Sequence, residues 1–276
     1  LGGTIRGTSR TDPLLVPEGA ARIRRTLEAD AVEGLIVVGG DGTLSAALEL
    51  AEQGIRVVGV PKTIDNDLGG TDFTFGFDTA VSIATDAIDR LHTTAEAHNR
   101  VIVVEVMGHH TGWIAAYAGV AGGADVILVP EFPFDVDAVC ERIRERERRG
   151  GSFSIVVIAE GARPAGQTVE QVDRRARIKP GEISSWLSEE IERCIHTETR
   201  TVVLGHVQRG GTPTAHDRVL ATRFGVGAAD LALAGEWGRM VALHGNEITS
   251  VPLPDAVRKV KELDPAIWEI AKVFSG

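Results

Sequence analysis

Cysteine is scarce: Cys140 and Cys194 are the only two in 276 residues, and both fall in stretches that read as helices. Two thiols do not make a disulfide framework, so the expectation is a chain folded without cross-links in a reducing cytoplasm. A basic surplus is absent too, with 29 lysines and arginines against 39 aspartates and glutamates and a net charge of −10. Such a chain has no spare cations to displace counterions from a nucleic-acid backbone, which argues against that partner. Any anion it binds must be met by a few cations placed locally. No apolar run reaches bilayer-spanning length, so no membrane partner is expected, and no stretch reads as a signal peptide. There is no internal repeat and no low-complexity tract. The longest charged run, 141–149, mixes both signs and reads as the wet face of a helix. The length suits one large domain or two medium ones.

What is present is concentrated in the stretch GLIVVGGDGTLSAALELAEQGIRVVGVPKTIDNDLGG, which opens at Gly34. Leu35-Ile36-Val37-Val38 has the composition of a strand buried on both faces. Gly39-Gly40-Asp41-Gly42 follows at once. A helix from Thr43 to Gln53 places Leu44, Ala47, Leu48 and Ala51 on one face and stops at Gly54. Val57-Val58-Gly59-Val60 reads as a second strand, running into Lys62-Thr63-Ile64-Asp65-Asn66-Asp67. Glycines let a backbone approach a phosphate, and a helix start points free N–H groups at it. A carboxylate there, Asp41, repels a bare phosphate but suits a Mg²⁺ ion between the two. Taken alone, the GGDG segment is equally a tight strand-to-helix turn. Lys62, Asp65 and Asp67 at the end of the neighbouring strand tip the balance. One carboxylate takes a proton from an attacking hydroxyl while cationic charge stabilises the transferring group, as phosphoryl transfer requires. A solvated polar loop is the plainer reading of the same residues.

Along the rest of the chain, strands and helices alternate. Helices are expected over about 18–29, 78–97 (capped by Asp78, with Val81, Ala84, Ile88, Leu91 and Ala95 as its apolar stripe), after Gly112, after Asp135, over 183–195, over 214–234 and over 254–263. Strands are expected over 100–106, 126–129, 154–159, 200–205 and 240–243, with loops over 1–16 and 162–182. This alternation predicts α/β architecture, parallel sheets with helices on both faces. Ligands of such sheets bind beyond the carboxyl ends of the strands. Unusual polar groups stand at five strand ends: Asp41, Lys62 to Asp67, Met107-Gly108-His109, Glu160, and His206 to Arg209. Arg100 and Arg200 instead sit at strand starts, either as ordinary surface arginines or as groups serving a neighbouring subunit. His109 and His110 are adjacent, and neighbours on an extended chain point apart, so a metal is not expected there. Glu160 is read as a hydrogen-bond partner for a sugar hydroxyl, and His206 with Arg209 as an anion contact. Asp125 and Asp135 are taken as structural.

Together GGDG, PKTIDND, VEVMG, AEG and GHVQRGGTP resemble the ATP-dependent 6-phosphofructokinase family, in its actinobacterial-type group close to pyrophosphate-dependent relatives. The motifs run in the family's order over nearly the whole chain, most loosely over 161–199. GGDGT alone also occurs in NAD kinases and lipid kinases, which lack the TIDND and HVQRGG segments. The resemblance implies two Rossmann-like parallel-sheet domains with the active site in the cleft between them. It implies a larger nucleotide-binding domain of 1–76 with 208–258, and a smaller sugar-phosphate domain of 77–207 with 259–276. It implies Mg²⁺-dependent phosphoryl transfer from ATP to the 1-hydroxyl of fructose 6-phosphate, a glycolytic step in the cytoplasm. Asp65 is then the general base, with Thr63 and Asp67 positioning the reacting groups. Asp41 holds the metal, Gly40, Gly42 and Thr43 line the nucleotide phosphates, and Arg10 reaches them too. Lys62, Met107, Gly108, His109 and Glu160 contact the sugar phosphate. His206 and Arg209 take the 6-phosphate, joined by Arg100 and Arg200 from the next subunit of a homo-oligomer, a dimer or tetramer.

Three departures from the family pattern matter. The glycine-rich loop after the family's first strand is not in this sequence, which implies an N-terminal portion outside it. His109 stands where the family usually has Arg. Lys62 stands where many ATP users have Gly, whereas Gly42 stands where pyrophosphate users typically have Asp, and ATP is therefore the expected donor. A pyrophosphate-dependent phosphotransferase and a catalytically impaired regulatory subunit are the alternatives.

Overall fold

A computed structural model describes residues 14–166 and 179–275. In chain order come α1 (Gly19–Ala29), β1 (Leu35–Gly39), α2 (Asp41–Glu52), β2 (Val57–Thr63), β3 (Phe75–Gly76) and α3 (Phe77–His98). Then follow β4 (Val101–Val106), α4 (Trp113–Ala121), β5 (Val126–Leu128), α5 (Val136–Arg148) and β6 (Ser154–Ala159). The last part holds α6 (Glu182–Ile195), β7 (Thr199–Val203), a 3₁₀ turn (Gly205–Arg209), α7 (Ala215–Leu233), β8 (Arg239–His244), β9 (Glu247–Pro252), α8 (Leu253–Val257) and α9 (Pro265–Ser275). The chain divides into two compact units, Leu1–Asp78 with Thr212–Lys261, and Thr79–Gly211 with Glu262–Gly276. Both exchanges back lie later than the positions 208 and 258 expected from sequence, and the second unit holds more of this chain than the first.

The first unit is built on a sheet of order β1-β2-β8-β9, with β3 paired to β2. Alternate residues of β2 face opposite sides. Val57 joins Leu44, Ala47 and Leu50 of α2 and Leu253 of α8, whereas Val58 and Val60 join Leu220, Phe224 and Ala228 of α7. Helices therefore cover both faces, which is why the strand reads as a nearly continuous apolar run. α7 starts at Thr214, whose hydroxyl accepts the Asp217 N–H at 3.2 Å. The same hydroxyl donates to Asp78, which lies in the first turn of α3 rather than capping it as expected. The sheet is not purely parallel. β9 runs back against β8 in a hairpin turning at Gly245-Asn246, with His244 opposite Glu247.

The second unit carries an all-parallel sheet of order β5-β6-β4-β7. Val101, Val103, Val156 and Ile158 face α5 and α6, where they meet Val139, Ile143, Leu187 and Ile191. α4 and α9 pack against β5. Within α3, Ala84, Ile88 and Ala95 of the expected stripe are fully buried. Asp135 caps α5 as expected, accepting the Asp137 N–H at 3.1 Å. Asp125 is structural, since it accepts the Ile155 N–H and pairs with Arg146 at 3.1 Å. Burial nevertheless holds its carboxyl above the usual range.

Three expectations are corrected here. β1 is not buried on both faces, since Ile36 and Val38 are exposed. Cys140 on α5 and Cys194 on α6 are joined by a disulfide, their Cα atoms 6.4 Å apart, because both face the contact between these two helices. The helix expected over 254–263 is only α8. Beyond it, Val260 bridges to Leu68, and the Lys261 N–H donates to the Asp67 carbonyl. These bonds hold the chain extended, and helix resumes as α9.

Candidate active site

In the first unit, the parallel pairing of β1 with β2 sets Gly39 opposite Pro61. The turn after β1 thus lies beside the end of β2. Gly40, the residue before α2, packs so closely on Thr63 that an added Cβ would come 3.2 Å from the Thr63 Cβ. A Cβ on Gly39 would strike the Thr43 side chain at 2.4 Å. Packing thus demands glycine at Gly39, and at Gly40 a larger residue would have to push Thr63 aside by a few tenths of an ångström. Gly42 is different: it is exposed, it is the second residue of α2, and among the described residues a Cβ there meets nothing within 4 Å. Asp41, the first residue of α2, lies in the acid-favouring first turn of the helix.

At the end of β2, Thr63 Oγ1 accepts the Asp65 N–H at 3.1 Å and lies 3.4 Å from Asp65 Oδ2. The structure thus brings Gly40, Thr63 and Asp65 into one contiguous cluster. Sequence reasoning missed the brace of this loop, Asn66. It is fully buried in the left-handed region at φ 52°. Its Oδ1 accepts the Thr74 N–H at 3.0 Å, and the Thr74 hydroxyl donates to the Thr63 carbonyl at 2.8 Å. Asp67 is anchored through its carbonyl by Lys261. Lys62 is exposed. Arg10 lies outside the described residues.

In the second unit, the ladders of β4 with β6 and β7 bring three strand ends level. Val106 lies opposite Ala159, and Glu105 lies opposite Val203. Met107, Gly108 and His109 therefore sit beside Glu160 and the 3₁₀ turn bearing His206 and Arg209. Gly108 has φ 145°, and a Cβ there would hit the Thr111 carbonyl at 2.4 Å. His109 follows in the left-handed region at φ 54°, so the chain is not extended here. The His109 and His110 rings consequently meet, with centroids 3.9 Å apart, instead of diverging as expected. Glu160 Oε1 accepts the His109 N–H at 3.0 Å, so this carboxylate holds the loop. Burial pushes the Glu160 carboxyl up, and the negative charge of Glu105 adds to this. The His109 N–H and Arg209 oppose the shift. Burial, followed by the charge of Arg209, lowers the His109 pKa from 6.5, which keeps its imidazole neutral at pH 7.

Arg100 and Arg200 do not join this cluster. They lie at the start of β4 and β7, a six-residue strand away from Met107, or roughly 20 Å. Both are held by one carboxylate that sequence reasoning passed over. Glu198 Oε2 takes the Arg100 Nε at 2.6 Å and Oε1 takes Arg200, and hydrogen bonding to Arg100 draws the Glu198 pKa down. A second overlooked carboxylate, buried Glu105, receives the Gly181 N–H at 2.6 Å and the Ser184 hydroxyl at 2.6 Å, and so fixes the start of α6.

The sequence profile of the family described as Phosphofructokinase matches residues 1–232. A protein of Streptomyces coelicolor named pyrophosphate–fructose 6-phosphate 1-phosphotransferase is 54% identical over 281 residues, covering 100% of this chain and 82% of that protein. A protein of Mycobacterium tuberculosis named ATP-dependent 6-phosphofructokinase is 52% identical over 279 residues, covering 100% of this chain and 81% of its own length. The crystal structure of a pyrophosphate-dependent phosphofructokinase from Marinobacter aquaeolei shares the fold, with a TM-score of 0.81 at 24% identity over 96% of this chain and 68% of that one.

Proposed function

We propose, from the premise that this chain belongs to the phosphofructokinase family of phosphotransferases, that it moves the terminal phosphoryl group of ATP to the 1-hydroxyl of fructose 6-phosphate. The first unit serves the donor and the proton. Asp65 accepts the hydroxyl proton, Thr63 and Asp67 align the reacting groups, and Gly40, Gly42, Thr43 and Arg10 line the nucleotide phosphates. The residues present fit Mg²⁺. That ion takes one or two carboxylates, the substrate phosphates and water rather than a protein cage. Asp41 supplies a carboxylate in the first turn of α2, beside Gly42, where no described residue comes within 4 Å of a Cβ. When bound through Asp41, Mg²⁺ neutralises charge on the transferring phosphates. The second unit serves the sugar phosphate, with Met107, Gly108, His109 and Glu160 at the sugar and His206 with Arg209 at the 6-phosphate. The position of Arg100 and Arg200 at the far end of their strands supports their acting on a neighbouring subunit, in a cytoplasmic homo-oligomer.

The observation that carries ATP as donor is that no described residue comes within 4 Å of a Cβ built on Gly42. The pyrophosphate reading draws on exposed Lys62 at the end of β2 and on the name of the Streptomyces relative. Turnover of fructose 6-phosphate by the purified protein with Mg²⁺ and either donor decides between them. We expect turnover with ATP. Turnover with pyrophosphate alone reverses the choice, and no turnover with either supports the impaired regulatory subunit.

His109 gives a second expected outcome. A neutral imidazole makes a weaker, single-pronged contact with an anion than a guanidinium does. His109→Arg should therefore raise kcat/KM for fructose 6-phosphate by about tenfold, the gain of one charge-assisted hydrogen bond. Steady-state kinetics at pH 7 that show no gain reject a substrate contact at this position.

A further inference from the structure

We infer that Gln208 is a positioning residue for the sugar phosphate: it fixes the spacing of the two loops that bind it and does not touch it. The inference rests on the reading of Met107 to His109, His206 and Arg209 as that binding site. Gln208 lies in the 3₁₀ turn between exposed Val207 and exposed Arg209, yet it is only 1% exposed itself. Its side chain turns inward, and both ends of the amide are used. Oε1 accepts the Met107 N–H at 3.3 Å, and Nε2 donates to the Gly205 carbonyl at 3.1 Å.

The ladder between β4 and β7 runs to Glu105 opposite Val203, and the Leu204 N–H then donates to the Glu105 carbonyl at 3.0 Å. Beyond that point the strands give way to loops, and the Gln208 amide carries the connection on. Met107 to His109 is thus suspended between two side chains, Gln208 on the Met107 N–H and Glu160 on the His109 N–H. The task needs an acceptor and a donor on one planar group at this length. An ionised carboxylate offers only acceptors and would face the Gly205 carbonyl unfavourably, and a thioether of similar volume has no donor and only a weak acceptor.

The test compares Gln208→Met, Gln208→Glu and Arg209→Ala in the full chain by steady-state kinetics and thermal melting. Both Gln208 variants should raise KM for fructose 6-phosphate roughly tenfold, the scale expected when a binding loop shifts by a fraction of an ångström, while KM for the phosphoryl donor stays within about twofold. Arg209→Ala should raise the same KM by a larger factor. If Arg209→Ala leaves that KM unchanged, the binding-site reading fails and the role of Gln208 falls with it. If Arg209→Ala raises it and the Gln208 variants do not, the positioning role alone is wrong. Equal loss in both KM values, or a lower melting temperature with unchanged kinetics, assigns Gln208 to stability only. If Gln208→Met does not fold, Gln208→Glu, which keeps shape and polarity, carries the same comparison.

Discussion

Asp65→Asn is expected to lower kcat about a thousandfold, within the range for loss of a general base. KM for fructose 6-phosphate should change by no more than about threefold, because the base acts on the proton in the transition state rather than on binding. Asparagine matches the carboxylate in size, so the surrounding geometry is expected to survive. The Asp65 N–H still donates to Thr63 Oγ1, and buried Asn66 still holds the loop against residues 72–74. What the amide lacks is the capacity to take a proton at neutral pH. Thermal melting should therefore be nearly unchanged while turnover collapses. A variant that keeps kcat within tenfold of the parent would remove Asp65 from the chemistry and leave the proton to another group at the end of β2.

Much of this was legible along the chain because parallel strands buried on both faces must be apolar throughout. Val57 to Val60, Val101 to Val106 and Ser154 to Ala159 therefore stand out, and the polar groups that end each run stand out beside them. The errors have particular causes. β9 mixes polar and apolar residues in its run Glu247–Pro252, and its one clear signal was the Gly245-Asn246 pair between two strands. The helix expected through 263 stops at Val257 because Val260 and Lys261 bond to Leu68 and Asp67, far away in sequence. The two histidine rings meet because His109 takes a left-handed backbone that an extended-chain argument does not foresee. The braces are the largest omission. Gln208 and Glu198 bond to groups that only the fold brings near, Gln208 to Met107, 101 residues away, and Glu198 to Arg100, 98 away, while Asn66 braces its own loop through Thr74, eight residues on. Their composition is that of ordinary loop residues.

Gly42→Asp is expected to lower kcat/KM for ATP at least about a hundredfold, the scale on which a misplaced reacting group is penalised, while making the protein more stable. The two effects point in opposite directions, which is what makes the substitution informative. Glycine in a helix costs roughly 0.5–1 kcal/mol relative to alanine, and an acidic residue in the first turn gains about 0.3–1 kcal/mol from the helix dipole. Gly42 is the second residue of α2, and among the described residues a Cβ there meets nothing within 4 Å beyond its own helix, so packing leaves room for aspartate. Gly39 and Gly40 differ, because a Cβ on Gly39 would clash with Thr43 and one on Gly40 would crowd Thr63. If the donor occupies this space, as proposed, it accounts for a glycine where packing does not call for one. Gly42 is proposed to line the nucleotide phosphates, so an added carboxylate would crowd and repel the phosphate of ATP nearest it, whereas pyrophosphate has no third phosphate to place there. Turnover with pyrophosphate should therefore be spared relative to turnover with ATP. Donor kinetics that change equally for both, or not at all, together with a higher melting temperature, would show that the open space over Gly42 is not where the donor lies.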